Sequence, residues 1–199
     1  MTSVLVTAFE PYDDWAENAS WLTLIELTKA LPEVPVVTTR RYPVDFEAMR
    51  LRLTDDLRDG YDYAIHLGQS PRDALITLEA VALNVRGERQ VAPEDFGRLI
   101  DDGPAAFRTP LPVARLAERM RSTGLPVRVS YHAGEYLCNG VYYLSHYLAD
   151  QLQVGTQALF LHLPIDPAQL EPRMVQQPTL PAAASACAIR LLVDELDQL

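Results

Sequence analysis

Short apolar runs alternate with longer amphipathic segments along the chain. Residues 4–9 form the first apolar run, residues 19–31 an amphipathic segment and residues 34–41 a second run. Apolar runs of this length predict buried strands, and apolar residues spaced three or four apart predict helices. The same patterns predict further strands at 61–67, 75–85, 127–130 and 158–163, and further helices at 46–57, 112–121, 139–152 and 182–196.

This alternation is typical of an α/β fold. It predicts a mixed, mostly parallel sheet with helices on both faces, the three-layer sandwich of phosphorylases and hydrolases. The length of 199 residues predicts a single catalytic domain, 1–199. Two proline-rich segments, 88–112 and 164–181, lack clear periodicity and are predicted to be excursions over the sheet edge.

Charge and cysteine content narrow the range of partners. The formal net charge of −10 leaves no basic stripe for a phosphate backbone, which argues against nucleic acid and anionic membrane surfaces as partners. The N-terminus lacks a signal-peptide pattern, and no apolar stretch is long enough to span a membrane. Two cysteines make no disulfide framework, so we expect a cytoplasmic protein with free thiols.

A candidate nucleophile precedes a predicted helix. In open parallel sheets the ligand site lies where strands end and loops begin, and Cys138 lies in such a loop just before the helix at 139–152. A helix N-terminus stabilises a thiolate, and its free N–H groups can hold an oxyanion. The alternative is a small buried residue that fills a core gap. Cys187, inside an apolar helical run, is predicted to be such a core residue.

A nucleophilic thiol needs a base and a group that orients the base. His66 and His162 both follow apolar runs, and the residue pattern leaves both as candidates for the base. Glu79 stands alone in an otherwise uncharged run and is a candidate to orient the histidine. The alternative for either histidine is a satisfied polar residue at a strand end, and for Glu79 a structural pair with an arginine.

A metal site is a competing interpretation of one segment. His132, Glu135 and Cys138 recur at three-residue spacing. Gly134 lies between them and the segment precedes the helix, so the three need not share a face. We therefore expect no metal.

Three segments together resemble the pyroglutamyl-peptidase I family, cysteine peptidases that remove an N-terminal pyroglutamate from peptides. They are 76–84 (ITLEAVALN), 133–139 (AGEYLCN) and 160–164 (FLHLP), and each holds one member of the family's Glu, Cys and His triad. Segments 4–12, 66–69 and 103–107 extend the likeness over nearly the whole chain. The resemblance implies catalysis by Glu79, Cys138 and His162, and it decides between the two histidines.

The resemblance also implies a substrate pocket. Phe9 and Tyr12 would flank the pyroglutamyl ring, Tyr136 and Leu137 would line the wall, and Gln69 would supply hydrogen bonds. Arg89 would support the oxyanion or the loop. The implied partners are peptides with an N-terminal pyroglutamate and further copies of the chain in a dimer or tetramer. No cofactor is implied.

The sequence departs from the family pattern at three places. Tyr12-Asp13-Asp14 stands where the family usually has Phe-Gly-Gly, Asn18-Ala19 where it has Asn-Pro, and Ala80 where it has an arginine. These changes spare the triad but alter the surroundings of the pocket. Two alternatives are a triad-bearing relative that binds N-terminal lactams without turnover, and an enzyme like nucleoside phosphorylases or hydrolases. The latter should show a phosphate or ribose site, but the sequence contains no Gly-rich phosphate loop.

Overall fold

The computed structural model describes residues 1–88, 91–170 and 177–199. Strands and helices alternate through these ranges as the sequence predicts. The strands are β1 (Ser3–Phe9), β2 (Val36–Tyr42), β3 (Tyr63–Gln69), β4 (Ile76–Glu79), β5 (Val81–Leu83), β6 (Ala106–Arg108), β7 (Val127–Ser130) and β8 (Gln157–Leu163). The helices are α1 (Ala19–Thr28), α2 (Phe46–Leu57), α3 (Val113–Ser122), α4 (Leu137–Leu152) and α5 (Ala182–Leu196).

Six strands form one mixed sheet in the order β2-β1-β3-β8-β4-β7. Strands β1, β2, β3 and β8 are parallel to one another, whereas β4 is antiparallel to β8 and parallel to β7. Strands β5 and β6 form a separate antiparallel pair. The predicted fold class, a mixed and mostly parallel sheet covered by helices, is confirmed.

Helices cover both faces of the sheet because the strand residues alternate between two apolar clusters. Val4 and Val6 belong to the cluster that includes residues of α1, α3 and α5, whereas Leu5 belongs to the cluster that includes residues of α2 and α4. Each fully buried aliphatic side chain stabilises the fold by about 1.5–3 kcal/mol. The helix α4 therefore lies on the same face of the sheet as α2.

Two predicted elements differ from the observed ones. Helix α1 ends at Thr28 rather than at residue 31, because residue 31 precedes Pro32, and a residue before proline disfavours the helical conformation. The strand predicted at 75–85 is broken at Ala80 into β4 and β5. After the break, β5 pairs with β6, and the buried amide of Asn139 accepts from the N–H of Leu83 at 2.8 Å and donates to the C=O of Leu83 at 2.8 Å.

Both cysteines differ in position from the sequence expectation. Helix α4 begins at Leu137, so Cys138 lies inside its first turn rather than before the helix. The sequence predicts Cys187 in the core, but it is exposed, and this prediction is wrong. Its neighbours Ala186 and Ala188 are buried, so Cys187 faces outward from α5 within an otherwise apolar run.

Among the helices of the described residues, none combines the length and the apolar character needed to cross a membrane.

Candidate active site

The antiparallel pairing of β4 with β8 brings Glu79 to His162. Glu79 pairs with Phe160, so Glu79 and His162 are diagonal neighbours on one face of the sheet. The Nδ1 atom of His162 lies 2.8 Å from Oε1 of Glu79. Glu79 is 2% exposed, which places its carboxylate in a low-dielectric environment where this contact is strong. The pair fixes the orientation of the imidazole ring.

Cys138 lies against the sheet beside His162, and Gly68 makes this approach possible. Gly68 pairs with His162 across β3 and β8. A Cβ atom at Gly68 would lie 2.9 Å from Sγ of Cys138 and 2.6 Å from Cζ of Phe160. Only a residue without a side chain therefore leaves space for the sulfur at this position. The thiol of Cys138 is free and half-buried.

The pKa of His162 is raised to about 10 by its two partners. Burial alone would lower this pKa, but the hydrogen bonds with Cys138 and Glu79 and their negative charges outweigh the burial. Because Nδ1 is bound to Glu79, Nε2 is the nitrogen left for Cys138. Both partners therefore favour the protonated form of the imidazole.

The other candidate histidine, His66, lies away from this site. It is fully buried, and its ring nitrogens hydrogen-bond Oγ1 of Thr7 at 2.8 Å and Oγ of Ser145 at 3.0 Å. Burial, with a contribution from His146, lowers the pKa of His66 to about 3. His66 is therefore a neutral, satisfied core residue.

The segment with the metal-like spacing takes another arrangement. His132 and Glu135 are exposed, with Nε2 and Oε1 3.4 Å apart. The Nδ1 atom of His132 accepts a hydrogen bond from the N–H of Gly134 at 3.1 Å. Within the described ranges, no group of three or more His, Cys, Asp or Glu side chains is arranged to hold a metal ion.

A cavity of about 400 Å³ opens beside Cys138 and His162. All five residues expected to contact substrate line it, namely Phe9, Tyr12, Gln69, Tyr136 and Leu137. The sequence interpretation missed further lining residues, which include Asn18, Val44, Phe96 and Ala133. Val44 follows a strand end, which is a signal for a site residue, whereas Phe96 lies in a proline-rich segment without periodicity. Arg89 lies outside the described residues.

The side-chain amide of Gln69 lies in the cavity wall. Oε1 of Gln69 accepts from the N–H of Ala19 at 2.7 Å and from Nε2 of Gln169 at 2.8 Å. Nε2 of Gln69 is buried and has no hydrogen-bond partner within residues 1–88, 91–170 and 177–199. A buried amide without a partner is costly, so this donor is suited to an acceptor on a bound ligand.

The first turn of α4 offers further donors. The first helical bond of α4 runs from the N–H of Gly140 to the C=O of Tyr136 at 2.9 Å. The N–H groups of Leu137, Cys138 and Asn139 precede that bond, and helix geometry leaves such groups without partners inside the helix. They lie next to the sulfur of Cys138 and can hold a negatively charged oxygen.

The departures from the family pattern surround the site without entering the triad. Asp13 and Asp14 are exposed, and Asp13 has a left-handed backbone with a φ of 56°. Ala80 is fully buried in the apolar cluster of α1, α3 and α5. Within the described part of the chain, Oε2 of Glu79 has no hydrogen-bond partner.

Comparisons with known proteins agree with this geometry. A sequence model of the pyroglutamyl peptidase family matches residues 2–196. The pyrrolidone-carboxylate peptidase of Klebsiella pneumoniae (strain 342) is 34% identical over 206 residues, covering 96% of this chain and 94% of that relative. The corresponding peptidase of Pseudomonas fluorescens is 34% identical over 181 residues, covering 85% and 82% of the two chains.

Solved structures give the same answer for the fold. The pyrrolidone carboxyl peptidase of Fervidobacterium islandicum AW-1 has a TM-score of 0.92 and 31% identity, covering 100% of this chain and 99% of that one. The pyrrolidone carboxyl peptidase of Thermococcus litoralis has a TM-score of 0.86 and 26% identity, covering 100% of this chain and 96% of that one. The chain therefore belongs to the pyroglutamyl peptidase family.

Proposed function

We propose that the protein removes N-terminal pyroglutamate from peptides by cysteine catalysis. Cys138 is the nucleophile, His162 the general acid and base, and Glu79 the residue that orients His162. The observation that carries this proposal is that Cys138 and His162 line the same cavity, while Nδ1 of His162 lies 2.8 Å from Oε1 of Glu79. Family membership supports the reaction class.

The reaction begins from a thiolate and a protonated imidazole. The Cys138 thiolate attacks the pyroglutamyl carbonyl carbon, a C–S bond forms, and the carbonyl oxygen becomes an oxyanion. His162 then gives the proton on Nε2 to the leaving amine as the C–N bond breaks. Water, deprotonated by His162, attacks the thioester, the C–S bond breaks, and pyroglutamate leaves.

The first turn of α4 stabilises the oxyanion. The N–H groups near Cys138 are fixed by the helix before the substrate arrives, so no reorganisation is needed during the reaction. Asn139 holds the other side of this turn through hydrogen bonds to β5. Loss of one oxyanion donor typically lowers kcat by about 100- to 1000-fold.

The cavity is suited to a neutral five-membered lactam. Phe9 and Tyr136 offer apolar contact to the ring, and Leu137 and Tyr12 complete the wall. Nε2 of Gln69 donates to the lactam carbonyl, which supplies an acceptor that this amide does not find among the described residues. The ring of Tyr136 is held by an edge-to-face contact with Phe46, with ring centroids 5.4 Å apart.

The test is release of a fluorescent amine from its pyroglutamyl amide by the wild type, Cys138→Ala and His162→Ala. We expect release by the wild type and its loss in both variants. Cys187→Ala is the matched control, because Cys187 is an exposed free thiol away from the cavity and its removal should leave activity unchanged. Activity that survives in Cys138→Ala would refute the nucleophile. An inactive, folded wild type would favour a protein that binds lactams without turnover.

We further propose that the protein acts in the cytoplasm as a homo-oligomer, a dimer or tetramer. The free thiols of Cys138 and Cys187 suit a reducing compartment. Light scattering on the purified protein measures the mass of the assembly, and a monomer at micromolar concentration would contradict the oligomer. Cell fractionation tests the location.

A further inference from the structure

Gln169 links three parts of the structure next to the cavity. It ends the short helical turn Pro167–Gln169 after β8. Its Oε1 accepts from the N–H of Asp166 at 2.8 Å, and its Nε2 donates to the C=O of Glu17 at 2.9 Å and to Oε1 of Gln69 at 2.8 Å. The three contacts fix which end of the Gln169 amide faces Gln69. Gln169 therefore presents a donor to Gln69.

The orientation of the Gln69 amide follows from its two donors. Oε1 of Gln69 receives the N–H of Ala19 and the Nε2 of Gln169. A flipped amide would place its N–H groups against both donors, which excludes that orientation. Gln69 is 5% exposed, so its amide has little freedom to escape into water. Nε2, which has no partner among the described residues, is thus the atom left for a ligand in the cavity that Gln69 lines.

We propose that Gln169 is a positioning residue for lactam recognition, which acts by holding the Gln69 amide with Nε2 available to the lactam carbonyl. The inference rests on the proposed function and deepens it. Gln169 does not line the cavity itself. Its effect on the substrate passes through Gln69, and the N–H of Ala19 provides the second donor for the same orientation.

One substitution tests the contact of Gln169 with Gln69 without adding a charge. Gln169→Met keeps an unbranched side chain of similar length, but it has no N–H to donate to Oε1 of Gln69. The N–H of Ala19 is then the donor that remains to Oε1 of Gln69.

Gln169→Glu is the sharper substitution. It retains an oxygen for the N–H of Asp166, but a carboxylate cannot donate to Oε1 of Gln69. Two oxygens would then face each other, and the Gln69 amide turns so that its Nε2 points to the new carboxylate rather than to the ligand. The exposed Gln198→Glu makes the same change of charge away from the cavity and is the control.

The readout is binding of 2-pyrrolidone, measured as protection of Cys138 from alkylation by iodoacetamide, alongside kcat and KM for a pyroglutamyl amide. For Gln169→Glu we expect the Kd of 2-pyrrolidone and the KM to rise about 3- to 10-fold, the range for one neutral hydrogen bond, and for Gln169→Met somewhat less, because it brings no opposing oxygen. The alkylation rate without ligand and kcat should stay within about threefold of the wild type, because the triad is untouched.

The outcomes separate the inference from the proposed function. Unchanged Kd in both folded variants, or no protection of the wild type by 2-pyrrolidone, would overturn the inference even if the enzyme cleaves pyroglutamyl amides. Weaker binding in Gln169→Glu, with Gln198→Glu unchanged, supports the inference even if the wild type lacks turnover. If Gln169→Glu does not fold, Gln169→Met carries the test, since it removes the same donor without adding a charge.

Discussion

Gly68→Ala should disable the enzyme by displacing the nucleophile. The new Cβ would lie 2.9 Å from Sγ of Cys138 and 2.6 Å from Cζ of Phe160. Non-bonded heavy atoms rest about 3.5–4.0 Å apart, so the sulfur must move by at least about 0.6 Å. Phe160 is fully buried in β8, which lies between β3 and β4, so its ring has little room to move away from the new Cβ.

The expected loss follows from that displacement. A misplacement of about 1 Å at a reacting group can cost about 100-fold in rate, so we expect kcat/KM to fall about 10- to 100-fold. Overpacking against Phe160 should also lower the free energy of unfolding by about 1–3 kcal/mol. Steady-state kinetics measure the first effect and urea denaturation the second.

The matched control for this variant is Gly97→Ala. A Cβ at Gly97 would meet nothing within 4 Å, and its backbone is not left-handed. Gly97→Ala should therefore keep the wild-type kcat/KM. If Gly68→Ala is folded and retains more than about a third of the wild-type kcat/KM, the close approach of Cys138 to the sheet is wrong as described.

Three further predictions concern pH and the supports of the site. Glu79→Gln removes a charge that raises the pKa of His162, so the alkaline limb of kcat/KM against pH should move down by about 1–3 units; an unmoved limb would contradict the pairing. The pKa values of His66 and His146 are lowered by burial to about 3 and about 4, so each histidine takes up its proton on unfolding. The contribution of these neutral histidines to the free energy of unfolding is fully present above pH ~6.5. It should fall by about 1.4 kcal/mol per pH unit per histidine as the pH drops towards 4. Urea titrations that give the same free energy of unfolding across this pH range would refute this. Asn139→Ala should lower the free energy of unfolding by about 2–4 kcal/mol, because it leaves backbone groups in and next to β5 without their hydrogen-bond partners. A decrease below about 0.5 kcal/mol would show that other contacts hold β5.

The order of strands and helices could be predicted from the sequence, because apolar residues repeat at different spacings in strands and in helices. Apolar runs located all six strands of the main sheet, with boundaries shifted by a few residues. The break at Ala80 could not be predicted, because the partners of β5 are β6 and the side chain of Asn139, and both are distant in sequence. The outward position of Cys187 depends on which stripe of α5 faces the sheet, and an apolar run does not show this.

The candidate site was predictable to different degrees. Residue pattern marked Cys138 and Glu79, but it could not separate His66 from His162, since both follow apolar runs. The register between β4 and β8 distinguishes the two histidines, because it places His162 diagonal to Glu79. His66 instead hydrogen-bonds the hydroxyl groups of Thr7 and Ser145 in the core. Family membership also decides against the nucleoside phosphorylase or hydrolase alternative.

The residues that line the cavity could be predicted only in part from the sequence. Phe9, Tyr12, Gln69, Tyr136 and Leu137 were named through the family resemblance, and all of them line the cavity. The amide network of Gln69 was not foreseen, because it joins residues that lie 50 and 100 positions away in sequence. No local pattern reports such a contact.

The most direct test of the central claim is the site of covalent labelling by a pyroglutamyl halomethyl ketone, an affinity label that alkylates an active-site thiolate. The thiolate displaces the halide, so peptide mass mapping should find one pyroglutamylmethyl group on Cys138, joined through a thioether, and none on Cys187. We expect 2-pyrrolidone to slow the labelling and His162→Ala to abolish it. Labelling of a different residue, or no labelling of an enzyme that still cleaves pyroglutamyl amides, would contradict Cys138 as the nucleophile.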